Sequence, residues 1–413
     1  MKYRIELLLK RLVYLIIAIL ALQVAKVVVN KLNFSYSYFL ELCLYSLQFL
    51  TLLAFLFIPL FKALLDRFTH VKRPWLIAWL LFIGQLLVAE GVCTYWLYHP
   101  AQMPGFLNNT YTYVYKTYLQ NNIQFDDVSF EYNASLFYTL KPNVSSCFSN
   151  PEFNTRIQAN KAGLRDDDMS LQSPSIICIG DSFTFGWGVE QENAFPQMLE
   201  KLSGKKVLNC GIPSYGTPRE ITSLKQFDRS NLSHLIIQYC SNDEGENNSF
   251  VENDFVLKIS SKKEYEDITR SHKINRRYFP ARNFSLVSVI FLKKLINKIH
   301  YLFSVDEPVD KIDTQSVSRF LNIIAKAPVD FSKTRVLVFQ LDSRQLNNSN
   351  FARIADSLIH TPYYQSIFNN NLKVIDFAPR FTKNDYFILD THHINAGGHK
   401  KVANILANEI RNF

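Results

Sequence analysis

A chain of 413 residues has room for one ordinary α/β domain and a further element, and its 48% hydrophobic content suits a folded protein rather than a disordered one. The net charge of +9 invites a polyanionic partner, but residues 1–100 carry +6 of it, from ten Lys/Arg against Glu6, Glu41, Asp66 and Glu90. The rest of the chain holds only +3, too little for the basic footprint of nucleic-acid binding.

Three apolar runs come first, at 12–29, 38–61 and 75–98. Each supplies the roughly 20 residues that a helix needs to cross a bilayer core, and none shows the polar face of a helix in a soluble bundle. Residues 1–100 therefore read as a membrane anchor of three transmembrane helices, with the lipid bilayer as partner. The first run has no small-residue cleavage site and two spans follow it, so it is not a removable leader. Lys2, Arg4, Lys10 and Arg11 precede the first run, and Lys62, Arg67, Lys72 and Arg73 separate the second from the third. Lys31 stands alone in the connection 30–37. Because basic residues collect on the cytoplasmic side, the N-terminus is expected inside the inner (cell) membrane and everything beyond the third span outside, in the periplasm or beyond. Glu90 lies within the third run, where a carboxylate costs about 3 kcal/mol on insertion scales. It reads as a packing residue near the outer leaflet, protonated or facing another helix.

Residues 100–105 form a natural boundary. The stretch 106–170 reads as an irregular, partly β lead-in, with alternating segments at 129–132 and 136–140. Beyond Pro174 the pattern changes. Short apolar strands at 175–179, 206–210, 235–239, 335–340 and 373–377 alternate with helices at 194–202, 218–227, 350–359 and 396–411. Such alternation predicts a three-layer α/β/α domain with a flavodoxin-like parallel sheet over 171–413. It is interrupted by an insertion at about 244–330. Within that insertion, 284–303 approaches span length, but Lys293, Lys294 and Lys298 argue against full insertion. A helix with a broad apolar face, packed on the domain or lying at the membrane surface, fits better.

The six cysteines show neither CxxC nor metal-ligand spacing, and Cys178, Cys210 and Cys240 read as buried thiols within or after strands. In an open parallel sheet, ligands bind beyond the carboxyl ends of the strands. The residues there are Gly180-Asp181-Ser182, Asn209-Cys210-Gly211 and Cys240-Ser241-Asn242-Asp243. A loop before the last helix adds Asp390-Thr391-His392-His393. A nucleophilic serine needs a base, a group to orient the base, and donors for an oxyanion. These four places offer them all.

The blocks "GDSFTFG" (180–186), "NCGIPSYGT" (209–217), "SND" (241–243) and "DTHHINAGGH" (390–399), in this order, resemble those of the SGNH (GDSL-type) hydrolase family. Upstream, "YTLKPN" (138–143) and "NKAGLRDDD" (160–168) are similar to the lead-in of its membrane-anchored members. The similarity runs over about 130–413, outside a divergent stretch at 244–330. It implies Ser182 as nucleophile, His393 as base and Asp390 as the group orienting the base. The Asp-x-x-His spacing favours His393 over His392. The resemblance further implies an oxyanion site made of the Ser182 N–H, the Gly211 N–H and the Asn242 amide. Cys240 occupies the place of a family glycine, which predicts a narrower pocket. Asp181 and Asp243 read as turn and cap acceptors, His399 as a helix-face residue, and His234 as having no role.

The function so implied is an extracytoplasmic serine esterase acting on acyl esters of an envelope glycan or lipid through an acyl-serine, with no metal or cofactor. Two alternatives stay open. One is an O-acyltransferase using the same triad, fed by an acyl-donor-supplying membrane partner, with Phe183, Phe185, Trp187 and Tyr215 as a sugar-stacking rim. The other is a non-catalytic glycan-binding or anchoring module.

Overall fold

The computed structural model describes residues 2–31, 37–68, 72–300, 312–343 and 348–412. The chain forms two compact units, Met1–Gln120 with Arg270–Asp306, and Asn121–Thr269 with Glu307–Phe413. The composition-based borders at 100 and 171 thus differ from the packing. The short helix Asn108–Val114 buries Tyr111 and Val114 in the first unit, whereas most of the lead-in packs into the second.

In the first unit, the segments Leu9–Val29, Tyr38–Phe68 and Pro74–Tyr98 are long and apolar enough to cross a membrane, three among the described residues. Large apolar side chains such as Leu87 (69% exposed) and Val88 (68%) point away from the protein. That surface suits lipid tails rather than water. The apolar part of the insertion forms the helix Arg282–His300, which packs on the second and third of these helices and not in the α/β domain. Residues 301–303 of that predicted segment, and 32–36 of the first connection, lie outside the described residues.

Glu90 explains the docking. Its carboxylate accepts the N–H groups of Asn283 (3.3 Å) and Phe284 (2.7 Å) and the Tyr278 hydroxyl (2.9 Å), while the Asn283 amide donates to Thr94 Oγ1 (2.9 Å). A helix N-terminus leaves N–H groups without partners and carries partial positive charge. Glu90 is therefore more than a packing residue. It caps the helix that the third span holds.

The second unit begins with two antiparallel hairpins, β1 (Phe130–Asn133) with β2 (Phe137–Leu140) and β3 (Ser145–Asn150) with β4 (Phe153–Gln158). Next come β5 (Ile176–Ile179), β6 (Val207–Asn209), β7 (His234–Tyr239), β8 (Arg335–Gln340) and β9 (Leu372–Ile375). They pair in parallel in the order β6-β5-β7-β8-β9, the flavodoxin-like order. Strand residues alternate between two cores. Ile177, Ile179, Leu235, Ile237, Val336 and Val338 pack with the helices Thr217–Ser223, Thr314–Ile324 and Asn350–Ile359. Ile176, Cys178, Ile236, Leu337 and Phe339 pack with the helices Phe195–Ser203 and Ala396–Asn412. With both faces covered, the strands have no polar side, which is why they read as apolar runs.

The helix Thr314–Ile324 and the hairpin β3–β4 are additions to the sequence reading. The hairpin escapes it because Ser145–Asn150 is mostly polar and exposes alternate residues. Among the described residues no disulfide occurs, and Cys178, Cys210 and Cys240 are buried thiols.

Candidate active site

The chain reverses its winding direction between β5 and β7, and the loops beyond these two strands flank the crevice that this leaves. Beyond β5, Asp181 caps the single-turn helix Ser182–Phe185 by accepting the Phe183 N–H (3.0 Å). Gly186 ends this turn at φ 85°, a left-handed conformation that suits glycine. Arg165, completely buried, clamps the following bend by donating to the carbonyls of Phe185 (3.2 Å), Gly186 (2.6 Å) and Val189 (2.7 Å), and also to Arg156 (2.9 Å). The "NKAGLRDDD" segment thus holds the serine turn in place.

The loop before the last helix brings a histidine to that turn. His393 Nε2 lies 2.8 Å from Ser182 Oγ, and Nδ1 lies 2.9 Å from Asp390 Oδ1. Ser182, His393 and Asp390 are all buried. The hydrogen-bond network assigns the proton to Nδ1, facing Asp390, and leaves Nε2 to accept from the serine hydroxyl. His392 stands edge-on to His393 at 4.7 Å and packs near Phe183. The other Asp390 oxygen accepts from Trp187 Nε1 (2.9 Å), and the Trp187 ring stacks on His393 (4.5 Å, 14°). In this arrangement an imidazole can take a hydroxyl proton while its orientation is fixed from two sides.

The predicted oxyanion donors are placed less uniformly. Asn242 is exposed beyond β7, with its side chain against the Asp181 carboxylate. Gly211 N–H donates to Asn209 Oδ1 (3.0 Å), so in this structure it is already engaged. Its glycine identity has another cause: a Cβ there would meet the Phe185 nitrogen at 2.3 Å and the Thr184 carbonyl carbon at 2.5 Å. Glycine is needed for packing against the serine helix.

Three further expectations are corrected. Cys240 does not narrow a pocket, because its side chain is completely buried in the sheet core with Sγ 3.8 Å from Asp342 Oδ1. Phe183, Phe185, Trp187 and Tyr215 form no rim, since each is at most 3% exposed. Aromatic mass next to the Gly-Asp-Ser turn serves here as core and as backing for His393. His399 is not a simple helix-face residue either. It is buried, and its Nδ1 accepts the Phe195 N–H (3.3 Å), with burial pushing its pKa down to about 3.

Several carboxyls lie under the site. Burial raises Asp181 to about 6. Burial first, and then Asp243 and Asp181, push Glu220 well up, and neither Glu220 oxygen has a hydrogen-bond partner. Such a carboxyl holds its proton in the folded state and releases it on unfolding. Its contribution to stability is complete below the ordinary carboxylate range and is lost as pH rises through the folded pKa. Glu220→Gln is therefore expected to raise the melting temperature by a few degrees near pH 8 and to change it little near pH 5, flattening the alkaline fall of the wild type. A gain of equal size at both pH values would contradict the assignment. Among the described residues, no three His, Cys, Asp or Glu side chains converge as metal ligands.

No family model matches the chain, and no curated protein does. Among solved structures, a lipolytic protein of the G-D-S-L family from Desulfitobacterium hafniense DCB-2 aligns at 13% identity over 56% of this chain and 97% of its own, with a TM-score of 0.28. The lipase Lip_vut3 from a goat rumen metagenome aligns at 14% identity over 56% and 95%, also at 0.28. These are distant likenesses, and the chemistry of the site rests on its own geometry.

Proposed function

We propose that this protein is a membrane-anchored serine esterase of the SGNH type that removes acyl groups from an envelope glycan or lipid on the outer side of the cytoplasmic membrane. The observation that carries this reading is the buried Ser182–His393–Asp390 series, with spacings of 2.8 and 2.9 Å. Ser182 Oγ bonds to the acyl carbon as His393 Nε2 takes the hydroxyl proton, and Asp390 stabilises the imidazolium. Collapse of the adduct breaks the ester C–O bond, and His393 returns the proton to the departing alcohol. Water then attacks the acyl-serine and gives a proton to His393, which passes it to Ser182 Oγ as the acid leaves. The oxyanion draws on the Ser182 N–H and the Asn242 amide, joined by the Gly211 N–H once its bond to Asn209 is exchanged.

Purified full-length protein in detergent, given a chromogenic acetyl ester and an added oligosaccharide, is expected to release free acetate at a rate the sugar barely changes. Acetyl appearing on the sugar, with free acetate falling to match, would replace the esterase by an acyltransferase that excludes water from the same intermediate. The orientation follows from the basic flanks. Cys147, which is exposed, should react with an impermeant thiol reagent on intact cells, whereas a cysteine placed at Arg67 in a Cys147→Ser background should not. The opposite pattern would put the esterase domain in the cytosol.

A further inference from the structure

We infer that Glu152, in the turn between β3 and β4, is a positioning residue for the Asp390–His393 pair, so that the lead-in hairpin is a working part of the active site. The inference rests on the esterase reading above. The two Glu152 oxygens accept three successive backbone N–H groups, those of Ile388, Leu389 (2.8 Å) and Asp390 (3.1 Å). Consecutive N–H groups that converge in this way form a concave anion site, here filled by the protein's own carboxylate. The loop needs such a partner. Apart from the isolated bridge between Tyr386 and Ile394, residues 386–394 pair with no strand among the described residues, and Leu389 and Asp390 are buried from water.

The geometry ties this anchor to the chemistry. Asp390 is held at its backbone N–H by Glu152 and at Oδ2 by Trp187, which leaves Oδ1 aimed at His393. The neighbouring Phe153 reaches the same parts, packing on Phe387 (5.3 Å) and Trp187 (6.4 Å). Burial pushes the Glu152 carboxyl up in pKa, while the N–H groups of Ile388, Asp390 and Leu389 pull it back. A carboxamide cannot replace it. Glutamine offers one acceptor and one donor group where three donors converge, so at least one N–H is left facing an N–H. The loop then shifts, and a displacement of about 1 Å at a catalytic group can cost on the order of 100-fold in rate.

The test uses full-length protein in detergent and compares Glu152→Gln with Glu190→Gln. Glu190 accepts the Arg156 N–H of the same hairpin (3.3 and 3.4 Å), so it controls for loss of hairpin hydrogen bonding alone. The readouts are kcat and KM on a chromogenic acetyl ester, the rate of fluorophosphonate labelling at Ser182, the melting temperature, and the downfield proton resonance of the His393 Nδ1–H. For Glu152→Gln, kcat and labelling rate are expected to fall about 10- to 100-fold with KM and melting temperature nearly unchanged, and the downfield proton to broaden or vanish. Glu190→Gln should match the wild type in all four. Wild-type kcat in Glu152→Gln, or parallel losses of activity and melting temperature in both variants, would overturn the inference. If the wild type itself is neither active nor labelled, the esterase reading fails, and the His393 proton still decides whether Glu152 positions the pair.

Discussion

Ser182→Ala and His393→Ala are each expected to lower esterase turnover by about 10⁴-fold or more, while His392→Ala costs less than about tenfold. In the proposed reaction Ser182 supplies the atom that bonds to the acyl carbon, so no neighbouring group would replace it. His393 is the imidazole whose Nε2 lies 2.8 Å from that atom and whose Nδ1 is already held by Asp390. His392 is one residue away, yet its ring stands edge-on to His393. Its loss removes a packing neighbour and not the base. The measurement is kcat on a chromogenic ester, together with fluorophosphonate labelling, which Ser182→Ala should abolish while the circular dichroism stays that of the wild type. Equal losses for the two histidines would assign the base wrongly.

Asp390→Asn should cost about 10⁴-fold in kcat with little change in melting temperature. Asp390 faces two donors, His393 Nδ1–H on Oδ1 and Trp187 Nε1–H on Oδ2. A carboxamide can accept from only one of them and must present its NH₂ to the other. If the amide donates to His393, the imidazole takes the wrong tautomer, and Nε2–H then points at Ser182 where a lone pair is needed. Trp187→Phe separates the two supports. It removes the donor and retains much of the stacked ring, so its expected loss is about tenfold, the scale of one hydrogen bond to a charged group. A Trp187→Phe loss as large as that of Asp390→Asn would mean that the carboxylate holds the imidazole only while the indole N–H holds the carboxylate.

The parts of the fold that were legible share a physical cause. A parallel strand covered on both faces must be apolar throughout, so β5, β7 and β8 stand out from their surroundings, and the residues at their ends face the crevice. The three long apolar helices are legible because crossing a bilayer leaves little choice of composition. Short polar strands such as β3 carry no comparable signal, since their stability comes from the pairing with β4 and from the packing of Phe148 and Phe153 on Trp187.

Local composition by itself determined the three apolar helices and the alternation of strands and helices, and with it the strand end that carries Ser182 and the loop that carries Asp390 and His393. Tertiary structure alone decided what each neighbour does. It packed Gly211 against Thr184 and Phe185, buried Cys240 and the aromatic residues expected at a rim, and docked the Arg282–His300 helix on Glu90. It also set Glu152 against a loop 236 to 238 residues further along the chain. The physical reason is the range of the interactions. Hydropathy and turn chemistry act over a few residues and leave their mark in composition, whereas a hydrogen bond or a stacked ring depends on which distant side chain the fold brings within about 3 to 5 Å, and no local pattern records that distance.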